Sequence, residues 1–346
     1  MQLTRYCITP NCNLIRLYMG STFYLFARLW PRLFALVIMF CLDQAVAQDQ
    51  IAPLAVDQVV IIVSPSGPGS SIDTMARTYA GIAAKYTTQK FVFDNRTGAA
   101  GYIATNYVLD QPANGFTLQA FTRATTLNFL TQPHAESPLD RYHYVGTTMF
   151  TPVIIYTYKG GPYADAQQLI AEAKARPASQ VWGGGSAGGT EWLMVNLIWQ
   201  KLGGRGRYAA FKDGGALRLA VLGKHLPIGS GDMSDILGYG DALVPLVIGA
   251  EKRMSDLPNV PTFRELGYDL VEGNYRGIVA RKDIPPQAKA FHEHVYDAVM
   301  SDPRWAAYLR DTKAEKFEVK GAAMEKIARE SSRRAVFFMK EAGYIK

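Results

Sequence analysis

The sequence predicts an α/β protein built as two lobes, on three observations. Short β-rich runs alternate with helical stretches from residue 56 onward, the pattern of α/β folds with largely parallel sheets. The candidate strands number nine, too many for one comfortable doubly wound sheet. Two strand, glycine-loop and helix units also stand far apart, "VVIIVSPSGPGSSIDTMAR" (59–77) and "QVWGGGSAGGTEWLMVNLIWQKLGG" (180–204).

The strands are read at 58–64, 91–95, 116–122, 152–158, 180–184, 207–211, 226–230, 243–249 and 275–281, each rich in β-branched, aromatic or other apolar residues. Between them, spacing and capping residues predict helices over 72–86, 101–110, 165–175, 190–202 and 214–222. From Pro286 to Lys346 the chain reads as several helices with no strand.

The 346 residues are 48% hydrophobic and 19% charged, an ordinary globular composition that excludes a disordered or fibrous chain. The first 47 residues differ, carrying Arg5, Arg16, Arg28 and Arg32 against a single acid, Asp43. They end in the apolar run "LFALVIMFCL" and then "DQAVAQ", with Ala45 and Ala47 at the small-residue positions of a cleavage site. This predicts an export signal cut after Ala47, and the run is short of the ~20 residues a spanning helix needs. A retained anchor is the alternative, and Met19 is an alternative start.

Cys7, Cys12 and Cys41 all lie in that segment, so the mature chain has no thiol and no disulfide. Cleavage removes four arginines and one aspartate, taking the formal net charge from +7 to +4. The remaining basic residues are scattered, and no stripe of Lys and Arg interleaved with aromatics points to nucleic acid. At 292–294, "HEH" is not a metal site on a helix, since positions i and i+2 point to different faces.

Each glycine loop carries a hydroxyl near its helix entry, Ser70 or Ser71 in the first and Ser186 or Thr190 in the second. A helix start with a glycine approach favours anions, because unpaired N–H groups and the macrodipole point at the ligand. Several chemistries use this arrangement. A dinucleotide site would draw on Gly67, Gly69 and Asp94, but Ile72 occupies the place of the third glycine. A P-loop fails, because neither loop continues into Gly-Lys-Ser/Thr. "GGSAG" (184–188) matches the nucleophile elbow of a serine hydrolase, with Ser186 as nucleophile, Asp232 or Asp241 as the acid and His292 or His294 as the base. Against it, no "HGGG"-type oxyanion loop precedes the serine. Tight turns without a ligand are the structural alternative.

Ordered blocks carry a further reading. Pro65, Pro68, Gly69, Asp73, Ala76 and Arg77 meet the pattern P-x-x-P-G-G-x-x-D-x-x-A-R, with Ser70 for its second glycine. "DNRTGAAGYIA" (94–104), "NGFTL" (114–118), "KDGGALRLAVLGK" (212–224) and "NVPTFRELGY" (259–268) follow in order. By these blocks nearly all of the mature chain resembles the extracytoplasmic solute receptors of tripartite tricarboxylate transporters, the Bug or TctC family.

The resemblance implies a periplasmic binding protein type II fold, two α/β lobes with a ligand cleft between them. Lobe 1 would take residues 48–149 and 250–346, and lobe 2 residues 150–249. It also implies a non-enzymatic, periplasmic receptor that acts as a monomer without cofactor or metal, and that passes a small carboxylate to integral-membrane permease subunits. The implied ligand-binding residues are Pro68, Gly69, Ser70 and Ser71 on one side and Ser186, Ala187, Gly188, Gly189 and Thr190 on the other. Thr122, Arg123, Thr125 and Asp232 would line the same cleft.

Four residues carry specific expectations. Arg123 is expected either to pair with a second carboxylate or to lie at the surface. Asp73 and Arg77, four apart, are expected to form a structural helix pair. Asp232 falls where the family usually carries asparagine, and an acid there repels a plain carboxylate unless a water, cation or ligand amine intervenes.

Overall fold

A computed structural model describes residues 50–132, 136–185, 188–211 and 214–345; the expected signal, Ser186 and Ala187 lie outside these. The first sheet orders β2 (Lys90–Asn95), β1 (Val59–Ser64), β3 (Thr117–Thr122), β10 (Gly273–Arg281) and β4 (Tyr142–Pro152). The second orders β7 (Arg207–Ala210), β6 (Val181–Gly184), β8 (Ile228–Gly231), β5 (Ile154–Tyr158) and β9 (Leu243–Ile248). The fold is the expected two-lobed α/β arrangement of type II binding proteins.

The helices are α1 (Ser71–Ala83), α2 (Tyr102–Asp110), α3 (Arg123–Leu127), α4 (Ala166–Ala175), α5 (Thr190–Leu202), α6 (Gly214–Leu222), α7 (Met233–Ile236), α8 (Pro286–Ser301), α9 (Pro303–Asp311) and α10 (Gly321–Glu341). Local chemistry sets their ends. The Asp165 side chain caps α4 by accepting from Gln168 N–H at 2.8 Å. Gly203 closes α5 in the left-handed conformation. Proline begins both α8 and α9, where its missing N–H costs nothing.

The sheets are less parallel than the alternation suggests. β1 runs parallel to β2 and β3, and β6 to β7 and β8, whereas β10 opposes β3 and β4, and β5 opposes β8 and β9. The antiparallel strands flank the passages between the sheets, where the chain enters without an intervening crossover helix. β4 is the strand that sequence reading missed. It is buried along nearly its whole length on both faces, so "YHYVGTTMFTP" shows no alternation.

Each sheet is covered on both faces, as its apolar strands require. One face of the first sheet packs α1, α8 and α9 around Ile62, Tyr79, Phe291 and Trp305, and the other packs Tyr144 and Val279 under Met324 and Ala328 of α10. The second sheet buries Trp182, Ile198 and Trp199 on one side and Tyr156, Leu217 and Leu226 on the other. Val153 alone separates β4 from β5. It donates to the Glu272 carbonyl at 2.9 Å and accepts from Gly249 N–H at 2.8 Å, which stitches the crossing segments together.

Candidate functional site

The carboxyl ends of parallel strands are where α/β sheets bind ligands, and both glycine loops occupy such ends. In the first lobe β1 ends at Ser64 and the chain bends through Pro68 and Gly69, both exposed, into α1. Gly69 has φ +78°, a conformation that a side chain would strain. Ser70 is the N-cap, its Oγ accepting from Asp73 N–H at 3.4 Å, while Ser71 is exposed in the first turn.

Asp73 anchors this loop from behind. Its buried carboxylate accepts from Gly69 N–H at 2.9 Å, Arg77 Nε at 2.8 Å and Asn95 Nδ2 at 2.9 Å, and Asn95 also donates to the Ser66 carbonyl at 2.7 Å. Burial pushes the Asp73 pKa up, but the hydrogen bonds from Arg77, Asn95 and Gly69 outweigh it and hold the carboxyl below its usual value. The Asp73–Arg77 pair is therefore structural, as its spacing predicts. No acceptor is bonded to the Ser71 or Ile72 N–H groups among the described residues, which leaves two donors at the start of α1.

The β3–α3 corner lies beside it. Thr125 Oγ1 accepts from Thr122 N–H at 2.9 Å and donates to the Thr122 carbonyl at 2.8 Å, so this hydroxyl is spent holding the turn. Arg123 requires a correction. It is only 5% exposed, donating through Nη1 to Glu272 Oε2 at 2.6 Å and to the Gly273 carbonyl at 3.0 Å, and through Nε to Ser331 Oγ at 3.0 Å. It is neither a surface residue nor free to form a fork with a second ligand carboxylate. Its guanidinium lines a cavity of about 650 Å³ bounded by β4, β10 and α10, with Glu272, Ser331 and Arg334.

In the second lobe β6 ends in the glycine loop. Ser230 Oγ donates to the Gly183 carbonyl and Tyr208 Oη to the Gly185 carbonyl, each at 2.8 Å, so the loop's oxygens are tied to neighbouring strands. Gly188 is buried, and Gly189, half-buried, is the N-cap of α5 and offers no side-chain acceptor. Thr190 is 2% exposed, and its Oγ1 is buried with no hydrogen-bond partner among the described residues. A helix of 13 residues thus begins at an uncapped, partly buried end that presents a hydroxyl.

Sequence reading missed Glu191, because an acid in a first helical turn is ordinary dipole compensation and carries no signal of its own. A Cβ placed on Gly185 would lie 2.8 Å from Glu191 Oε2, so the carboxylate folds over the glycine loop. Burial pushes its pKa up and Asp232 and Asp235 add to the rise, against its own backbone N–H and Arg123. Asp232, at the end of β8, caps α7 by accepting from Ser234 N–H at 2.9 Å, and Asp235 returns the bond by accepting from Asp232 N–H at 3.0 Å. Asp235 also accepts from Arg218 Nη1 at 2.7 Å.

Leu127 of α3 packs against Trp192 and Leu193 of α5, which sets the start of α5 beside the end of β3. The hydrolase partners, by contrast, are dispersed. Asp232 caps a helix, Asp241 is exposed beside Lys159, and His292 is buried in the first lobe against the Gly115 carbonyl. Among the described residues no group of three His, Cys, Asp or Glu is placed to hold a metal, and no helix is long and apolar enough to cross a membrane.

Two α/β sheets joined by crossing strands, with helix starts gathered at their carboxyl ends, define a two-lobed solute-binding protein. The family model for the tripartite tricarboxylate transporter family receptor (TctC) matches residues 75–344, and the chain belongs to that family. Its relatives include protein BugT of Bordetella pertussis, 25% identical over 277 residues that cover 78% of this chain and 85% of that protein. Among solved structures, R. palustris Rpa4515 with adipate has a TM-score of 0.68 at 22% identity, covering 83% of this chain and 98% of that one. MatC of Rhodopseudomonas palustris with bound malate has a TM-score of 0.64 at 20% identity, covering 80% and 97%. At these identities the structures establish the fold.

Proposed function

We propose that this chain is exported, loses its signal after Ala47, and captures a small organic acid outside the cytoplasm for delivery to the membrane subunits of a tripartite tricarboxylate-type transporter, without catalysing a reaction. The observation that carries this reading is the pair of helix starts: among the described residues the Ser71 and Ile72 N–H groups of α1 have no protein acceptor, and α5 begins at Gly189 with no side-chain cap. The ligand carboxylate would be held from the first lobe by Ser71, Ile72 and the Pro68–Ser70 bend. From the second lobe it would be held by Thr190 and the loop from Ser186 to Gly189.

Magnitudes support a clamp over a single-sided site. A micromolar dissociation constant needs about 8 kcal/mol, and a helix dipole contributes at most ~2. Four to six charge-assisted hydrogen bonds at about 1.5–3 kcal/mol each supply the difference once closure completes them. The ligands of the two solved neighbours, adipate and malate, are both dicarboxylates, which sets the chemical range to test first.

The test is isothermal titration of residues 48–346 against di- and tricarboxylates, aromatic acids and amino acids, with thermal melts alongside. Saturable binding of an acid with a raised melting temperature is expected. Silence across the panel, together with esterase turnover lost in Ser186→Ala, would replace the receptor with a hydrolase.

A further inference from the structure

Resting on the receptor reading above, we propose that the ligand carries a protonated amine as well as a carboxylate, and that Glu191 receives the amine. The second-lobe wall of the cleft is acidic where an anion receptor should be basic. Glu191, Asp232 and Asp235 gather at the carboxyl ends of β6 and β8, where Asp232 and Asp235 both disfavour the charge of Glu191. Among the described residues only Asp235 of the three forms an ion pair, with Arg218 at 2.7 Å, while Arg123 acts on Glu191 without pairing with it. Across the cleft Arg123 is already neutralised by Glu272 at 2.6 Å.

Glu191 differs from its neighbours in having no assigned structural task. Asp232 caps α7 and Asp235 closes that box, whereas Glu191 makes no ion pair among the described residues and caps no other segment. A carboxylate that is costly to bury persists where a cation completes it. Beside it, the buried Thr190 Oγ1 is a second polar group with no partner among the described residues. A buried carboxyl that a bound cation would hold ionised, next to a hydroxyl with no partner among the described residues, suits an ammonium, which is donor only, together with the ligand's own carboxylate, which is acceptor only. A plain dicarboxylate would bring two negative charges against this wall.

The experiment uses acids paired so that they differ only in the amino group: L-glutamate with glutarate, L-aspartate with succinate, L-phenylalanine with 3-phenylpropionate, and 4-aminobutyrate with butyrate. Each is titrated at pH 7.5 into the exported chain, its Glu191→Gln variant and its Thr190→Val variant, with melting temperatures recorded for all three proteins. At least one amino acid is expected to bind tenfold or more tighter than its deaminated partner. Glu191→Gln should erase that ratio, and Thr190→Val should weaken binding of both members without lowering the melting temperature. Equal or tighter binding of the deaminated acids, or a ratio that survives Glu191→Gln, overturns the amine assignment and leaves the receptor standing. Binding by no member of any pair removes the receptor reading and the amine assignment with it.

Discussion

Buried without a charged partner, the His292 ring donates through Nε2 to the Gly115 carbonyl at 2.7 Å, and burial lowers its pKa to about 4. The unfolded chain, with an ordinary histidine near 6.5, therefore takes up a proton that the native state refuses. Stability from this residue is complete above pH 6.5, falls as pH drops towards 4, and levels off below, a loss of about 3 kcal/mol. Urea midpoints measured from pH 4 to 7 should show that limb in the wild type and a flatter one in His292→Gln, whose amide keeps a donor but does not titrate. At the same scale, Asp73 and Arg123 show what a sequence discloses. The Asp73–Arg77 pair is legible because helix geometry joins positions four apart. The partner of Arg123, Glu272, is 149 residues away, and nothing local announces it.

Helix ends set stability at the scale of elements. Asp302, buried at the α8–α9 joint, caps α9 by accepting from Arg304 N–H at 2.8 Å and also takes Arg304 Nη2 at 2.9 Å and Tyr86 Oη at 3.0 Å. The Arg304 side chain, aided by its backbone N–H and Tyr86, holds the carboxyl far below the usual range against the opposing cost of burial. Asp302→Ala removes a cap and strands these donors, so a loss of about 3 kcal/mol is expected in denaturant unfolding, and Asp302→Asn, which still caps, should lose less. Most elements were readable because capping residues and β-formers mark them locally. β4 was not, because a strand buried on both faces loses its alternation and "YHYVGTTMFTP" is interrupted by Gly146.

The whole molecule turns on the segment where its chain passes between sheets. There the buried Arg123–Glu272 pair joins the end of β3 to the start of β10, Ser331 of α10 completes it, and Leu127 packs on α5. Breaking a buried pair from one side strands a charge, here offset in part by the half-exposed Arg334 at 3.5 Å from Glu272, so Arg123→Met should cost about 3 kcal/mol, the low end of the range for buried pairs. The double variant Arg123→Met/Glu272→Met should recover most of it, measured by urea unfolding of all three proteins. If the single and double variants are equally unstable, the pair contributes packing rather than charge neutralisation.

By itself the sequence determined the elements, the two glycine loops with their helix starts, and the ordered blocks of the family, because caps, periodicity and short motifs are local. The tertiary structure alone decided which polar groups are spent inside the protein and which remain for a ligand. Arg123, a plausible ligand clasp in one dimension, is paired with Glu272, and Glu191, ordinary in a first helical turn, is folded over the glycine loop with no ion pair among the described residues. The cause is that pairing and desolvation depend on neighbours brought together from distant parts of the chain.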